Sequence, residues 1–210
     1  MNKTRLINIE GIDCSGKTTI AKYLARKFKY KFQHEPRFSS QEADNLNFTG
    51  LDHYQREFYF MQDRIKHQTI LNKYNVVLDS YILRGLTYTG YFGPKALPMV
   101  KSIYQLPIFK VPDIIIVIDI DPKQANKFNK KRLGKKNYNA KLNIDVLKGL
   151  NTFLHESIEE INSWSNHPPI IVIKNNGIDI NILREQIIKR IVKYIPELGE
   201  KNEKKESRIK

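Results

Sequence analysis

Short runs of apolar, β-branched residues alternate along this chain with longer amphipathic stretches. Four of these runs have the length and composition of β-strands, and a weaker candidate, YKFQHE, ends near Glu35. The four runs are residues 5–10, 75–79, 113–120 and 169–174. The last two are apolar through their central residues, which is expected for parallel strands that are covered on both faces.

Helix candidates lie between the strand candidates. They are residues 18–29, His53–Lys73, 143–163 and Ile180–Tyr194. In the first of them, Ile20, Leu24, Ala25 and Phe28 fall on one face at helical spacing. Strands that alternate with helices predict an α/β fold, in which a parallel sheet of about five strands is flanked by helices.

The first strand candidate runs into a segment that fits the phosphate-binding pattern G-x-x-x-x-G-K-[ST]. Glycines at both ends let the backbone curve closely around an anion with its amide groups pointing inward, and the following helix adds partial positive charge. Lys17 would reach the terminal phosphates of ATP, and the Thr18 hydroxyl would bind Mg²⁺. The predicted nucleotide-binding residues are Gly11, Ile12, Asp13, Cys14, Ser15, Gly16, Lys17, Thr18 and Thr19.

The rest of the chain narrows the class of nucleotide-binding protein. A switch GTPase would need a base-reading motif of the type Asn-Lys-x-Asp, and KNNGID, which begins at Lys174, does not supply it. A motor or a helicase would need more sheet and more length than 210 residues provide. A small domain that carries its own acceptor site is the more economical interpretation, and it predicts a kinase.

Length and composition indicate a single domain. We predict a P-loop kinase domain over residues 1–196 and a charged, flexible tail over residues 197–210. The single cysteine, Cys14, excludes an internal disulfide framework, and no apolar run approaches the roughly 18 residues that a membrane helix needs. The N-terminus reaches a strand within a few residues, which leaves no room for a signal peptide and predicts a cytoplasmic protein without a membrane partner.

The formal charge of +14 is compatible with two interpretations. A basic surface can bind nucleic acid, but a protein that handles several phosphate groups is also basic for local reasons. The positive residues are spread along the chain, with local groups at residues 127–136 and in the tail, and no RNA-binding or zinc-finger spacing accompanies them. The sequence therefore does not predict nucleic acid as the main ligand.

Five segments carry a resemblance to a known family. They are IEGIDCSGKTT, HEPRFSS, FMQDRIKH, VVLDSYILRGLTYTG and PDIIIVIDIDPKQANKFNKKRLGKKNYN. In register over nearly the whole chain, they resemble the thymidylate kinase family of P-loop nucleoside monophosphate kinases. The resemblance implies a three-layer P-loop NTPase fold with a basic lid, here at about residues 127–141. It also implies that Asp13, an acidic residue inside the loop, contacts the 3′-hydroxyl of the acceptor sugar and helps to order the phosphates.

The resemblance also assigns residues to the acceptor pocket. Glu35, Pro36 and Arg37 follow the second strand candidate, and the planar guanidinium of Arg37 can hold a phosphate. Phe60 and Arg64 are four residues apart and share one helix face. In the family, such an aromatic ring stacks on thymine and such an arginine hydrogen-bonds its base edge. From the residues alone, a core phenylalanine beside a salt-bridged arginine is the alternative.

The segment VVLDSYILRGLTYTG resembles the strand-ending D-R-Y segment of the family but departs from it at one position. Asp79 lies at the carboxyl end of a strand, where open α/β sheets bind ligands, and we assign it to the Mg²⁺ and phosphate-transfer region. The family's arginine, which grips the acceptor phosphate, is Ser80 here. Arg84, one helical turn further, is our candidate for the missing guanidinium. Tyr88 matches an aromatic position that faces the deoxyribose and can exclude a 2′-hydroxyl.

Further cations are expected from the lid. Phosphoryl transfer depends on positioning and on stabilising the charge of the transferring group. Some thymidylate kinases carry an arginine inside the phosphate loop, where this chain has Cys14 and Ser15. The candidate lid cations are Lys127, Lys131, Arg132, Lys135 and Lys136, and a merely solvated basic stretch is the alternative. We assign catalytic roles to Lys17, Asp13 and Arg132.

These observations predict ATP-dependent phosphorylation of a deoxynucleoside monophosphate, above all dTMP to dTDP, with ATP and Mg²⁺. The family implies a homodimer. The first alternative is a deoxynucleoside kinase, in which Glu35 would act as general base because a neutral 5′-hydroxyl must lose its proton. The Glu-Pro pair and Ser80 favour this alternative, whereas Asp13 and the F-x-x-D-R segment oppose it.

A second alternative is a P-loop module that has lost catalysis and binds nucleic acid through its basic surface. The retained Lys17, Thr18 and Asp79 argue against it.

Overall fold

The computed structural model describes residues 4–35, 52–131 and 142–199. In these ranges, one parallel sheet is covered by α-helices. The strands are β1 Leu6–Glu10, β2 Lys31–His34, β3 Val76–Asp79, β4 Ile114–Asp119 and β5 Ile170–Lys174. The helices are α1 Lys17–Phe28, α2 His53–Lys73, α3 Ile82–Phe92, α4 Leu97–Tyr104, α5 Pro122–Lys130, α6 Ile144–Asn162 and α7 Ile180–Tyr194, and a short 3₁₀ helix, Pro94–Ala96, precedes α4.

The predicted α/β fold, its parallel sheet and its strands are confirmed. Every strand candidate forms a strand within about one residue of the predicted ends, and YKFQHE contains β2. The helix candidates are confirmed as α1, α2, α6 and α7. One expectation was wrong: β5 is not covered on both faces, because it lies at the edge of the sheet and its Val172 is 43% exposed.

The apolar pattern did not predict α4. Two prolines, Pro94 and Pro98, mark this stretch, and Pro98 lies in the first turn of the helix. A proline in the first turn lacks only an N–H group that the helix would leave without an internal partner anyway, so it is compatible with a helix start. The resemblance had implied the two neighbouring helices, α3 and α5.

The sheet order β2-β3-β1-β4-β5 puts β1 in the middle. All strand pairs are parallel, so the carboxyl ends of the strands meet at one edge, where Ile9 pairs with Asp79 and Asp79 pairs with His34. The chain leaves β1 toward β2 on one side and leaves β4 toward β5 on the other. In open α/β sheets, such a reversal of direction places the ligand beyond the carboxyl ends of the two strands concerned, which here are β1 and β4.

Each face of the sheet carries its own apolar core, which gives the three layers. Helices α1 and α7 cover one face, with Ile20, Leu24, Leu183 and Ile187 among the buried residues. Helices α2, α3, α4 and α6 cover the other, with Met61, Leu83, Val100 and Leu150 among the buried residues. In the parts of the chain that the structure describes, no helix combines the length and apolarity that crossing a bilayer requires.

Helices α3 and α6 approach each other closely at two glycines. A Cβ on Gly149 of α6 would overlap the ring of Tyr91 of α3, and a Cβ on Gly90 of α3 would lie 2.5 Å from Cδ1 of Phe153. The rings of Tyr91 and Phe153 meet edge to face with their centroids 6.2 Å apart. This contact fixes α3, which carries Arg84, against the rest of the domain.

We expect Gly149→Ala to lower the free energy of unfolding, although alanine is the better helix former by about 1 kcal/mol. The new methyl group must displace the packed ring of Tyr91, and overpacking of this kind costs about 1–3 kcal/mol. Urea unfolding measures the change. Lys148→Ala, at the exposed neighbouring position, is the control and should stay within about 0.5 kcal/mol of wild type. A Gly149→Ala protein as stable as wild type would contradict the close approach.

Candidate active site

The loop between β1 and α1 curves back on itself at glycines. Gly11 has φ +140° and Gly16 has φ +97°, values that glycine adopts far more readily than other residues. A Cβ on Gly11 would lie 2.5 Å from the backbone oxygen of Ile118 in β4, so the loop leaves β1 too close to the neighbouring strand for any side chain. Such a curve, followed by a helix, turns backbone amides toward an anion.

Asn175 supports this loop from the end of β5. Its Nδ2 donates to the backbone oxygen of Ser15 at 3.0 Å, and its backbone N–H donates to the carbonyl of Asp119 at 2.6 Å. Sequence reasoning missed Asn175. The available signal was its position directly after a parallel strand, because the carboxyl ends of such strands meet at the ligand edge of the sheet.

Lys17, the first residue of α1, folds back onto the loop. Its Nζ donates to the backbone oxygen of Ile12 at 2.8 Å, and the residue is 7% exposed. Burial lowers the pKa of Lys17, and the positive charge of Arg84 lowers it further, whereas the carboxylate of Asp13 raises it. The next two predicted loop residues, Thr18 and Thr19, lie in the first turn of the same helix.

Asp79, at the end of β3, meets Thr18 and His34. Thr18 Oγ1 donates to Asp79 Oδ2 at 2.5 Å, and His34 Nδ1 lies 3.0 Å from the same oxygen. Burial raises the pKa of Asp79, but the hydrogen bond to His34 and the charge of Lys17 outweigh it, so the pKa lies below its usual value. A carboxylate that stays ionised beside a hydroxyl offers the hard oxygen ligands that Mg²⁺ prefers.

His34 was not singled out by sequence reasoning. It ends β2, which pairs with β3 so that His34 lies directly opposite Asp79. The signal in the sequence was its place at the end of the weakest strand candidate, and that signal becomes usable only when the order of the strands is known.

Asp13, Arg84 and Tyr88 converge beside the loop. The Tyr88 hydroxyl donates to Asp13 Oδ2, and Arg84 Nη2 lies 3.9 Å from Asp13 Oδ1. The guanidinium carbon of Arg84 lies 4.7 Å from the centre of the Tyr88 ring. Burial raises the pKa of Tyr88 well above its usual value, and the neighbouring charge of Asp13 adds to this, so the phenol remains a hydrogen-bond donor. The structure thus brings together three residues that the sequence analysis placed on the acceptor side.

Ser80, where the family has an arginine, is fully buried. Its hydroxyl donates to Asp79 Oδ1 at 3.4 Å, and its backbone N–H donates to Ile9 at 3.0 Å. It is one of the few non-glycine residues with positive φ, at 70°. Within the described residues, Arg84 is therefore the arginine whose guanidinium lies beside Asp13.

Glu35 and Arg64 belong to a buried polar network. Arg64 Nε donates to Glu35 Oε2 at 3.0 Å, and Arg64 Nη1 donates to the hydroxyl of Tyr104. His67 Nδ1 lies 2.7 Å from Glu35 Oε1. Arg64 therefore forms a salt bridge, as the alternative of a core phenylalanine beside a salt-bridged arginine predicted. A guanidinium has five N–H groups, so this pairing leaves donors for a base edge. Phe60, half-buried, lies one turn before Arg64 on α2.

Some predicted residues lie outside the described part of the chain. They are Pro36, Arg37, Arg132, Lys135 and Lys136, together with residues 132–141 of the predicted lid. Lys127 lies in α5 and Lys131 follows it, and both are exposed. The lid and its catalytic cation therefore stay predictions.

Glu10, the last residue of β1, is a fully buried carboxyl group that sequence reasoning did not single out. Its Oε1 accepts a hydrogen bond from the backbone N–H of Tyr81 at 2.7 Å, and in the described structure its Oε2 has no hydrogen-bond partner. Burial raises the pKa of Glu10 to about 7, although the charge of Lys17 opposes the rise. Because Tyr81 immediately precedes α3, Glu10 holds the start of the helix that carries Arg84.

Comparison with known proteins gives a consistent result. The model of the family "Thymidylate kinase" matches residues 9–173. A "Probable thymidylate kinase" from Picrophilus torridus is 30% identical over 207 residues, which cover 92% of this chain and 98% of that protein. The structure of a thymidylate kinase from Candida albicans superposes with a TM-score of 0.72 at 19% identity, covering 93% of this chain and 94% of that one.

A second solved structure shares the fold. The deoxyadenosine kinase from M. mycoides has a TM-score of 0.71 at 17% identity and covers 89% of this chain and 98% of its own. At such identities a structural likeness shows the fold alone.

We expect Glu10 to reduce stability as the pH rises from about 5 to 8. The ordinary pKa of a glutamate is 4.5, and burial raises the pKa of Glu10 to about 7. In this pH range the folded state therefore holds the proton more tightly than the unfolded state does. Compared with a variant whose side chain stays neutral, the wild-type protein should lose about 3 kcal/mol of unfolding free energy over this pH range. Glu10→Gln keeps an acceptor for the Tyr81 N–H and cannot ionise.

Urea unfolding of both proteins at about pH 5 and about pH 8, on either side of the titration, tests this. The variant should be more stable than wild type at the higher pH only. Glu185→Gln, on the exposed face of α7, is the matched control. A Glu10→Gln difference that does not change with pH would contradict the buried ionisation.

Proposed function

The chain belongs to the thymidylate kinase family of nucleoside monophosphate kinases, and from this premise we propose that it transfers the terminal phosphoryl group of ATP to dTMP, giving ADP and dTDP. The observation that carries the proposal is the position of Asp13. It lies inside the phosphate loop and contacts Arg84 and Tyr88 of α3. Donor and acceptor sites are thereby adjacent, and positioning is the main requirement of phosphoryl transfer.

The donor side is the loop and the start of α1. The backbone amides of residues 11–16 and the N-terminus of α1 would bind the phosphates of ATP, and Lys17 would neutralise the terminal ones. Supported by Asn175, the loop keeps its shape without the donor having to order it. The buried setting strengthens the attraction between Lys17 and a phosphate, because few water molecules compete for the charge.

Thr18 and Asp79 would hold Mg²⁺. In the described ranges, no three or more His, Cys, Asp or Glu residues form a group that could bind a metal ion by themselves. The pair therefore fits an ion that keeps several waters and binds substrate phosphates, which is how Mg²⁺ is usually held in kinases. When bound, Mg²⁺ neutralises charge on the phosphates. His34 positions the Asp79 carboxylate from β2.

The acceptor side begins at Asp13 and extends along α3. Arg84 would hold the acceptor phosphate, taking the role of the family arginine that is Ser80 here. Tyr88, whose hydroxyl is already bonded to Asp13, would lie against the deoxyribose and leave no room for a 2′-hydroxyl. Phe60 and Arg64 on α2 would contact the thymine ring and its edge.

The transfer needs no strong general base. An ionised oxygen of the acceptor phosphate forms the new P–O bond, while the bond between the γ-phosphorus and the bridging oxygen breaks and ADP takes its electrons. Lys17, Arg84 and the predicted lid cations would stabilise the charge that spreads over the transferring group. Closure of the lid would exclude water and limit hydrolysis.

The contacts of Glu35 oppose the deoxynucleoside kinase alternative. That reaction needs a carboxylate free to take a proton from a 5′-hydroxyl. Glu35 is buried, accepts a hydrogen bond from Arg64 Nε at 3.0 Å and lies 2.7 Å from His67 Nδ1. Both carboxylate oxygens of Glu35 are therefore already paired with side chains of α2, and neither is placed to take a proton from a substrate hydroxyl.

A homodimer, a cytoplasmic location and the absence of a nucleic-acid ligand stay predictions. Exposed apolar side chains on α2, at Tyr54, Phe58 and Ile65, support a contact between two copies of the chain, because monomers rarely expose such a stripe.

We expect ADP release from ATP and Mg²⁺ with dTMP as acceptor and none with thymidine. A coupled assay with dTMP, dUMP, dCMP, thymidine and deoxycytidine measures this. Lys17→Ala should lower kcat by about 100-fold or more, because it removes a charge at the transferring phosphates, with little change in the melting temperature. Turnover of a nucleoside but not of its monophosphate would overturn the proposal.

We expect Arg84→Ala to raise the KM for dTMP by about tenfold or more, because charge-assisted hydrogen bonds to a phosphate are worth about 1.5–3 kcal/mol. Arg84→Lys is the matched variant. It keeps the charge but loses the planar guanidinium, so its KM for dTMP should lie between the values of wild type and Arg84→Ala. The KM for ATP serves as the internal control and should change less. An unchanged KM for dTMP in Arg84→Ala would remove Arg84 from the acceptor site.

A further inference from the structure

A cavity of about 110 Å³ lies away from the phosphate loop. Pro112 and Pro168, which precede β4 and β5, line it, so it reaches the amino-terminal edge of the sheet, opposite the loop. No residue of the loop contributes to its wall. The cavity is therefore separate from the donor site.

The walls of the cavity are mainly apolar and partly aromatic. They include Ile82, Phe109, Ile115, Ile161 and Trp164. Exposed Ser165 and Asn166 add polar groups at the surface side. An apolar cavity of about 150 Å³ in another protein binds benzene, so a cavity of about 110 Å³ that is open at its surface side has room for at most one ring and not for a helix or a peptide segment. Aromatic walls favour a flat ring, which can pack face or edge against them.

Tyr104, at the end of α4, connects this cavity with the acceptor side. Tyr104 lines the cavity, and its hydroxyl accepts a hydrogen bond from Arg64 Nη1. A Cβ on Gly85 would overlap the same hydroxyl, so Tyr104 also packs directly on α3. Ile82, the first residue of α3, is itself part of the wall. A ligand in the cavity would contact the helix that carries Arg84 and the side chain that orients Arg64.

We propose that this cavity is a second binding site, for a small planar aromatic compound with one polar edge, and that its occupancy is coupled to acceptor binding through Tyr104. The site itself does not depend on the proposed function, whereas the coupling rests on dTMP being the acceptor. A ligand that packs on the Tyr104 ring restrains Arg64 before the acceptor arrives, so the two ligands should strengthen each other's binding.

The chain contains its own reporter for this site. Trp164, which lines the cavity, is the only tryptophan in the 210 residues. Titration with phenol should change its fluorescence with a Kd on the order of 1 mM, as expected for a ligand of about seven heavy atoms. Cyclohexanol, which has the same size but is not flat, should bind at least several-fold more weakly. Equal binding of the two would overturn the aromatic assignment, and no saturable change with phenol would overturn the site.

A matched pair of variants tests whether the fluorescence response to phenol comes from this cavity. Val111, 40% exposed, lines the cavity, whereas Val172, 43% exposed, lies on β5 outside it. Val111→Phe should fill the cavity and abolish the response to phenol, and Val172→Phe should leave it unchanged. A full response in Val111→Phe would overturn the location.

The coupling is measured by repeating the phenol titration with saturating dTMP. The Kd for phenol should fall by about fivefold, the lower end of usual coupling between sites. Tyr104→Phe keeps the ring in the wall but removes the hydroxyl that contacts Arg64, so phenol should still bind while the effect of dTMP disappears. A Kd for phenol that is the same with and without dTMP in the wild-type protein would overturn the coupling. Failure of the proposed function would appear separately, as absence of turnover with dTMP.

Discussion

The carboxylate of Asp79 is the contact on which the arrangement of the site depends. It joins three separate pieces of the chain, because one of its oxygens meets both Thr18 at the start of α1 and His34 at the end of β2, while Asp79 itself ends β3. The carboxylate is fully buried and must remain ionised to hold both partners, and Lys17 and His34 make this possible. Removal of this charge would weaken the side-chain contacts that join the start of α1 and the end of β2 to β3, while the backbone pairing of the strands would remain.

Buried positive and negative charges offset one another around that contact. Lys17 and Arg84 are enclosed among Glu10, Asp13 and Asp79. Each cation lowers the cost of burying the nearby carboxylates, and each carboxylate does the same for the cations. Such a cluster is costly to assemble and is stable only when every member has a partner. The arrangement fixes the positive charges of Lys17 and Arg84 beside the loop between β1 and α1.

The sequence predicted the fold well because its strongest signals are local. Continuous Ile/Val runs, amphipathic spacing and the glycine–lysine pattern each occupy a few consecutive residues, and β1, α1, β4 and α6 formed where they were expected. The pairing of Asp13 with Arg84 and Tyr88 was accessible only through the resemblance. Asn175, His34 and Glu10 were missed because their roles come from strand order, which brings residues about 45 to 160 positions apart into contact and leaves no local pattern. The exposed face of β5 was misjudged for the same reason, since apolar composition does not reveal whether a strand is central or at an edge.

The glycine at position 85 has an evolutionary consequence. Because Gly85 has only a hydrogen where the Tyr104 hydroxyl packs, the two positions cannot vary independently. A relative with any larger residue at 85 must carry a smaller or differently directed residue at 104, and that change would also remove the hydroxyl that meets Arg64. Across homologous chains, residues 85 and 104 should therefore change as a pair, and the orientation of the arginine on α2 should follow them.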